Sequence, residues 1–287
     1  MKNKFGMFIH WGLYSHLEEH EQVLARNDMD NKDYEKLMHQ FNPVKSDPEQ
    51  WVLIAKNAGM KYICFTTKHH DGFCMWDTQY TDYNVMNTPY GKDVLRMLAD
   101  ACEKHGMLLS LYYSNPDWHH EAAYNPVSTH QWKSVSKEKS DPEKYREYIL
   151  DQLTELLTNY GKIYSLFWDI SPYYIDESMN EYVRSLAPDI LINDRGYDKG
   201  DFSTPEREIP DGTRFRSNTE ACQSVGIQSW GFRKNEDFYS CRFLMSSIDK
   251  IMAMGGSYVL NVGPKCDGTI DPVSRNMVEN WEMVSIG

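Results

Sequence analysis

Short, nearly continuous apolar runs alternate with longer amphipathic stretches along most of this chain. The runs are KFGMFIHWG, KYICFTTK, MLLSLYYS, IYSLFWDI, DILINDR and SYVLNVG. Runs that stay apolar at consecutive positions are the pattern of parallel strands buried on both faces. The stretches between them carry a different period. In SDPEQWVLIAKNAG (46–59), Trp51, Ile54, Ala55 and Ala58 fall at i, i+3, i+4 and i+7, which is one buried helical face. KDVLRMLADACEKHG repeats the stripe with Val94, Leu95, Leu98, Ala101 and Cys102. SDPEKYREYILDQLTELLTNYG (140–161) opens on the same four residues as the first stretch, and DPVSRNMVENW (271–281) opens similarly. In these, Asp or Ser can cap the first free amides, and proline occupies the first turn, where its missing N–H does no harm. A glycine then ends the first two.

Strands alternating with helices of this length are βαβ units. The pattern therefore predicts an α/β protein, a (β/α)8-like, TIM-type barrel that need not be regular. Six strands are counted and a seventh is expected near residues 214–220; closure into eight is inferred. No G-x-G-x-x-G follows any strand, which argues against a doubly wound nucleotide-binding sheet. No Gly/Ser linker divides the chain, so residues 1–287 are expected to form one domain.

Composition narrows the partners. The hydrophobic fraction of 41% and charged fraction of 25% are those of a globular protein, and the net charge of −12 argues against a nucleic-acid partner, which needs clustered Lys and Arg. No run of 18 apolar residues occurs, so no membrane span is expected. No cleavable leader pattern opens the chain, and a cytoplasmic location is expected unless a leader has been removed. The six cysteines are scattered without a C-x-x-C pair, which argues against a disulfide scaffold and a zinc ribbon. The 19 Tyr and 8 Trp supply flat amphipathic surfaces that suit sugar rings as well as cores.

Polar and aromatic residues crowd the C-terminal ends of the runs: His10 and Trp11; Lys68, His69 and His70; Tyr112, Tyr113 and Ser114; Trp168 and Asp169; Asn193, Asp194 and Arg195; Asn261. In a barrel these ends converge on the face that carries the active site. Singly, each residue is as well explained by a cap, a loop or an ion pair; their shared position points to a polar, aromatic pocket with a carboxylate at its floor.

The segments KFGMFIHWGLYS, AGMKYICFTTKHHDGF, LYYSNPDWHH, LLTNYGKIYSLFWD, INDRG and SWGFRKNED resemble successive motifs of the α-L-fucosidases, glycoside hydrolase family 29, from Phe5 to about Pro264. The resemblance implies a barrel catalytic domain and a retaining exo-hydrolase of terminal α-L-fucose, acting on fucosylated oligosaccharides or glycoconjugates without metal or organic cofactor. The family usually adds a C-terminal β-sandwich, which a chain ending at Gly287 is expected to lack. By resemblance the nucleophile falls on Asp169, and His10, Trp11, Glu21, His69, His70, Tyr113, Phe167, Arg195 and Trp230 fall on substrate-binding positions, with Tyr112 replacing Tyr113 if the register slips by one. The Glu of the family's W-E-T-C stretch falls on Glu220, the expected acid/base; Glu206, Glu208 and Glu21 are the alternatives. Three positions depart from the family: Phe167 where tryptophan is frequent, Ile170 in place of the glycine after the nucleophile, and Gln22 in place of a tryptophan after Glu21. Three other functions fit the same residues: a metal-dependent hydrolase using His69, His70 and Asp169, a retaining glycosidase of another sugar such as α-L-galactose, and a sugar-binding barrel without turnover.

Overall fold

The computed structural model describes residues 4–279; positions 1–3 and 280–287 of the expected domain, Trp281 among them, lie outside the described residues. Seven strands, β1 (Phe5–Ile9), β2 (Tyr62–Lys68), β3 (Leu108–Ser114), β4 (Ile163–Asp169), β5 (Leu191–Ile192), β6 (Glu220–Ser224) and β7 (Ser257–Val262), form one curled sheet in the order β5-β4-β3-β2-β1-β7-β6. Every neighbouring pair is parallel. The gap between the edge strands β5 and β6 is spanned by residues 202–206. Isolated parallel bridges join Asn193 to Phe202, Ser203 to Thr219 and Glu206 to Cys222, so this segment acts as an irregular eighth stave.

The helices read from the stripes form where the pattern put them, and Glu177–Leu186 and Cys241–Ala253 are two more that it did not mark. Pro48–Asn57, Val94–His105 and Pro142–Asn159 begin at Asp47, Asp93 and Asp141, whose side chains accept from the backbone N–H of Glu49, Arg96 and Lys144. Gly106 ends the second at φ 66°, a conformation glycine adopts without steric cost. The expected strand at 214–220 is displaced. Residues 211–218 are bends that are mostly exposed, and the strand is the uncharged run starting at Glu220. Arg214 and Arg216 flanking Phe215 imitate an alternating strand, but their charge keeps them in solvent.

Side-chain alternation divides each strand between two cores. Phe8, Tyr62, Cys64, Tyr112, Phe167, Cys222 and Val259 pack together inside the curl. The intervening residues, such as Met7, Ile9, Ile63, Leu111, Tyr113 and Trp168, join the larger core beneath the helices. The register of β2 against β3 shifts between Thr66 and Lys68. That irregularity turns Lys68 outward, where its buried ammonium meets Asp117 Oδ2 at 3.0 Å and faces the Tyr113 ring at 4.3 Å.

Candidate active site

The inner core stops short of the strands' C-terminal ends and leaves a cavity of about 140 Å3, space for a single sugar ring. Phe8, Tyr112, Phe167 and Cys222 from the inner core line it, together with His10, His69, His70, Asp169, Arg195 and Trp230. Glu21, Gln22, His130, Ile170 and Glu206 complete the wall. A larger, mostly apolar cavity of about 260 Å3 lies between the helix Pro142–Asn159 and the 122–131 loop; no carboxylate or histidine lines it.

Asp169 ends β4 on the inner face and is 9% exposed. Both its oxygens are held. Tyr112 Oη donates to Oδ2 at 2.7 Å, and Arg195 Nη1 donates to Oδ1 at 3.1 Å. Burial alone would raise this carboxyl, but the Arg195 charge, His70, the Tyr112 hydroxyl and His10 outweigh it and hold the group below its ordinary range. Asp169 is therefore ionised at neutral pH.

Arg195 Nη1 also donates to Glu206, while Nε donates to Thr204 Oγ1 at 2.7 Å and Nη2 to the Thr204 carbonyl. Two carboxylates thus touch one nitrogen. Their nearest oxygens therefore lie within two hydrogen-bond lengths of each other, closer than the roughly 6.5–9.5 Å of an inverting glycosidase pair and compatible with the roughly 5–5.5 Å of a retaining one. Glu206 ends the irregular stave at the cavity mouth, with 40% of its side chain exposed. Partial burial raises its carboxyl and the Asp169 charge raises it further, while Arg195 offsets only part of this; the net shift is upward.

The three histidines of the cavity are neutral. Burial lowers His10 and His70 to about 4 and pushes His69 well below its ordinary value. His10 Nδ1 lies 2.6 Å from Asn261 Oδ1, and the Asn261 amide donates to Ser224 Oγ and the Trp230 carbonyl. Its oxygen must therefore accept, so His10 carries its proton on Nδ1 and keeps Nε2 as an acceptor. Ser114 Oγ donates to the Pro116 carbonyl, so His70 Nδ1, 2.7 Å away, donates to it by the same logic. His69 stacks on Tyr112 with centroids 5.5 Å apart. Because β2 ends at Lys68, the consecutive His69 and His70 both reach one cavity. Among the described residues, no three His, Cys, Asp or Glu side chains are arranged to hold a metal ion.

Glu21 shapes the cavity wall through its neighbours. Its Oε2 accepts from Ser229 Oγ and from the backbone N–H of Trp230 and Gly231, pinning the loop that stacks Trp230 on His10 at 5.5 Å. Arg207 braces the other side, 4.4 Å from the Trp230 ring.

Three expected residues lie elsewhere. Trp11 shares its strand face with Met7 and Ile9; its Nε1 donates to the Lys265 carbonyl and its ring packs 5.3 Å from Trp51 under the helices. Tyr113 faces outward and donates to Gln152 Oε1 at 2.6 Å, so Tyr112 is the tyrosine of the site. Glu220 begins β6 instead of following a strand, which puts it at the opposite end of the sheet from the cavity. There it is buried and accepts from Tyr62 Oη at 2.5 Å. Glu208 is exposed and does not line the cavity. The pattern did not single out His130, which lies in an irregular loop with no strand or motif to mark it, nor Phe8, whose place two residues before His10 was the available signal.

The α-L-fucosidase family model matches residues 1–282. Among curated proteins, the tissue α-L-fucosidases of Mus musculus and Homo sapiens are 24% and 25% identical over 94% of this chain. The chain spans 65% and 63% of their lengths, less than two thirds in each case. Among solved structures, α-L-fucosidase isoenzyme 1 from Paenibacillus thiaminolyticus superposes with a TM-score of 0.89 at 34% identity, covering 98% of this chain and 72% of that one. The α-L-fucosidase AlfC from Lactobacillus casei, solved with α-L-fucose product, gives 0.88 at 30% identity, covering 99% and 96%. The match extends over nearly every described element, and the chain belongs to the α-L-fucosidase family.

Proposed function

We propose that this chain is a retaining exo-α-L-fucosidase that releases terminal α-L-fucose from fucosylated oligosaccharides or glycoconjugates, with Asp169 as nucleophile and Glu206 as acid/base. The observation that carries it is the shared Arg195 nitrogen between an ionised, buried Asp169 and a raised Glu206 at the mouth of a one-ring cavity. Two carboxylates with environments pushed in opposite directions are the acid/base pair such hydrolysis needs.

Asp169 attacks the anomeric carbon as the protonated Glu206 gives its proton to the departing oxygen, leaving a fucosyl ester on Asp169. Esterification removes the Asp169 charge. Since that charge helps keep Glu206 protonated, its loss lowers the Glu206 pKa. Glu206 then accepts a proton from water, which attacks the same carbon and frees Asp169. Neutral His10 and His70, whose Nδ1–H groups are spent on Asn261 and Ser114, offer Nε2 as an acceptor to ring hydroxyls, while the neutral His69 ring carries one donor and one acceptor. The Phe8 and Phe167 rings on the floor suit the apolar C6 methyl of a 6-deoxy sugar. Position favours Glu206 over Glu220, since a general acid must come within hydrogen-bond reach of the leaving oxygen.

Turnover of a fucosyl chromogenic substrate, with the first-formed anomer followed by NMR, tests this function. Release of α-L-fucose is expected. First release of the β-anomer, or no turnover at high enzyme concentration, would refute it.

A further inference from the structure

In the loops after β3 and β4, three residues other than glycine take left-handed backbone: His130 at φ 61°, Ile170 at φ 59° and Tyr173 at φ 59°. For a β-branched isoleucine this is a genuine outlier. Such conformations persist where the surroundings over-determine them, and they gather at functional sites. Here the surroundings are explicit. Asn115 Nδ2 donates to the Ile170 carbonyl at 2.7 Å, Asn125 Nδ2 to the Pro172 carbonyl at 2.9 Å, and Ser128 Oγ to the Ser171 carbonyl at 2.7 Å. Those bonds tie the loop after β3 to the loop after β4.

Ile170 and His130 both line the cavity. The His130 ring lies 5.3 Å from His70 inside and 4.5 Å from Trp132 outside, and Trp132 is 61% exposed. The inner core closes the floor, so the group on the anomeric carbon must leave through the mouth. Where glycine would leave that passage open, this chain holds an isoleucine in a costly conformation, and His130 on the same cavity wall carries a solvent-facing indole against its outer side.

We propose that Ile170 and the His130–Trp132 pair, whose rings meet at a tilt of 44°, form a leaving-group subsite that selects an aglycone with a flat apolar face, whether the C–H face of a pyranose or an aryl ring. This rests on the fucosidase function proposed above. A ring laid against an indole buries apolar area on both partners, whereas a small leaving group gains nothing there.

The test compares kcat/KM on fucosyl fluoride, on 4-nitrophenyl fucoside and on a fucosyl disaccharide for the wild type, Trp132→Ala and Ile170→Gly. Each variant is expected to lower the ratio of ring-bearing substrate to fluoride at least tenfold, through KM and with the pH profile in place. Loss confined to the disaccharide or to the aryl fucoside supports the subsite and identifies which ring it takes. Ratios within twofold of wild type on both, or a change confined to kcat, would refute the subsite while leaving the fucosidase function standing. A wild type unable to hydrolyse the fluoride would refute that function and the subsite with it.

Discussion

Arg195 Nη1 lies 3.1 Å from Asp169 Oδ1 at the end of β4, and the same nitrogen binds Glu206 across the cavity mouth. One fixed charge thereby sets the protonation of both carboxylates. It lowers each, while burial raises each. Replacing Arg195 by Gln removes the lowering influence from both. Both limbs of the kcat/KM profile should then move to higher pH, and the rate at the optimum should fall by about a hundredfold or more, on the scale of losing one buried charge-assisted contact made in the transition state. A profile that falls in height without moving would contradict the electrostatic role.

Glu206→Gln separates leaving groups. A disaccharide oxygen needs a proton, whereas fluoride and dinitrophenolate leave without one, and general acid catalysis contributes typically about 10²–10⁴-fold. The variant should lose on the order of that factor on a disaccharide and far less on fucosyl fluoride, and the alkaline limb should disappear. Equal slowing of all substrates would assign the proton to another group.

Glu220 makes the opposite prediction, about folding and not turnover. Burial raises it from 4.5 to about 7, against a lowering by the Tyr62 hydrogen bond. The folded protein therefore holds a proton that the unfolded chain releases between those values, so this group's contribution to stability declines as pH rises from about 4.5 to 7. The full swing is on the order of 3 kcal/mol. Urea denaturation should show Glu220→Gln more stable than wild type at pH 8 and nearly equal to it at pH 4, with disaccharide turnover retained. A stability difference that does not vary with pH would contradict the buried-carboxyl account.

Ile170 supplies a test of strain. At most positions alanine is more stable than glycine, but a Cβ in left-handed backbone costs roughly 1–2 kcal/mol. Both substitutions remove most of the same side chain, so comparing them isolates the backbone. Ile170→Gly should exceed Ile170→Ala by about 1 kcal/mol in chemical denaturation. The usual order would show that residue 170 does not hold φ 59° in solution.

The strands and helices were legible because a barrel writes two periods into its sequence: continuous apolar runs and helical stripes. Those continuous runs also hid the face each residue takes. In LYYS and FIHW both neighbours are buried, so no alternation of polar and apolar residues marks the inside, and Trp11 and Tyr113 read as well as their inward neighbours His10 and Tyr112. Counting by twos back from His10 and Asp169 fixes the parity, giving Phe8 and Phe167 inside. Glu206 was obscured for another reason. Its stave pairs only through isolated bridges, and TPEREIP, with two prolines and three charges, reads as an exposed loop. Glu220 misled because the seventh strand was expected to end near it, whereas β6 begins there.

The most direct test of the account is covalent trapping of the nucleophile. A 2-deoxy-2-fluoro-fucosyl fluoride slows both steps but departs readily in the first, so the ester should accumulate and inactivate the enzyme. Digestion and mass spectrometry should find one fluorofucosyl adduct per chain, on the peptide that carries Asp169, and none in Asp169→Asn. An adduct on Glu206, Glu220 or any other residue, or turnover without a covalent adduct, would contradict the assignment of Asp169 as the nucleophile.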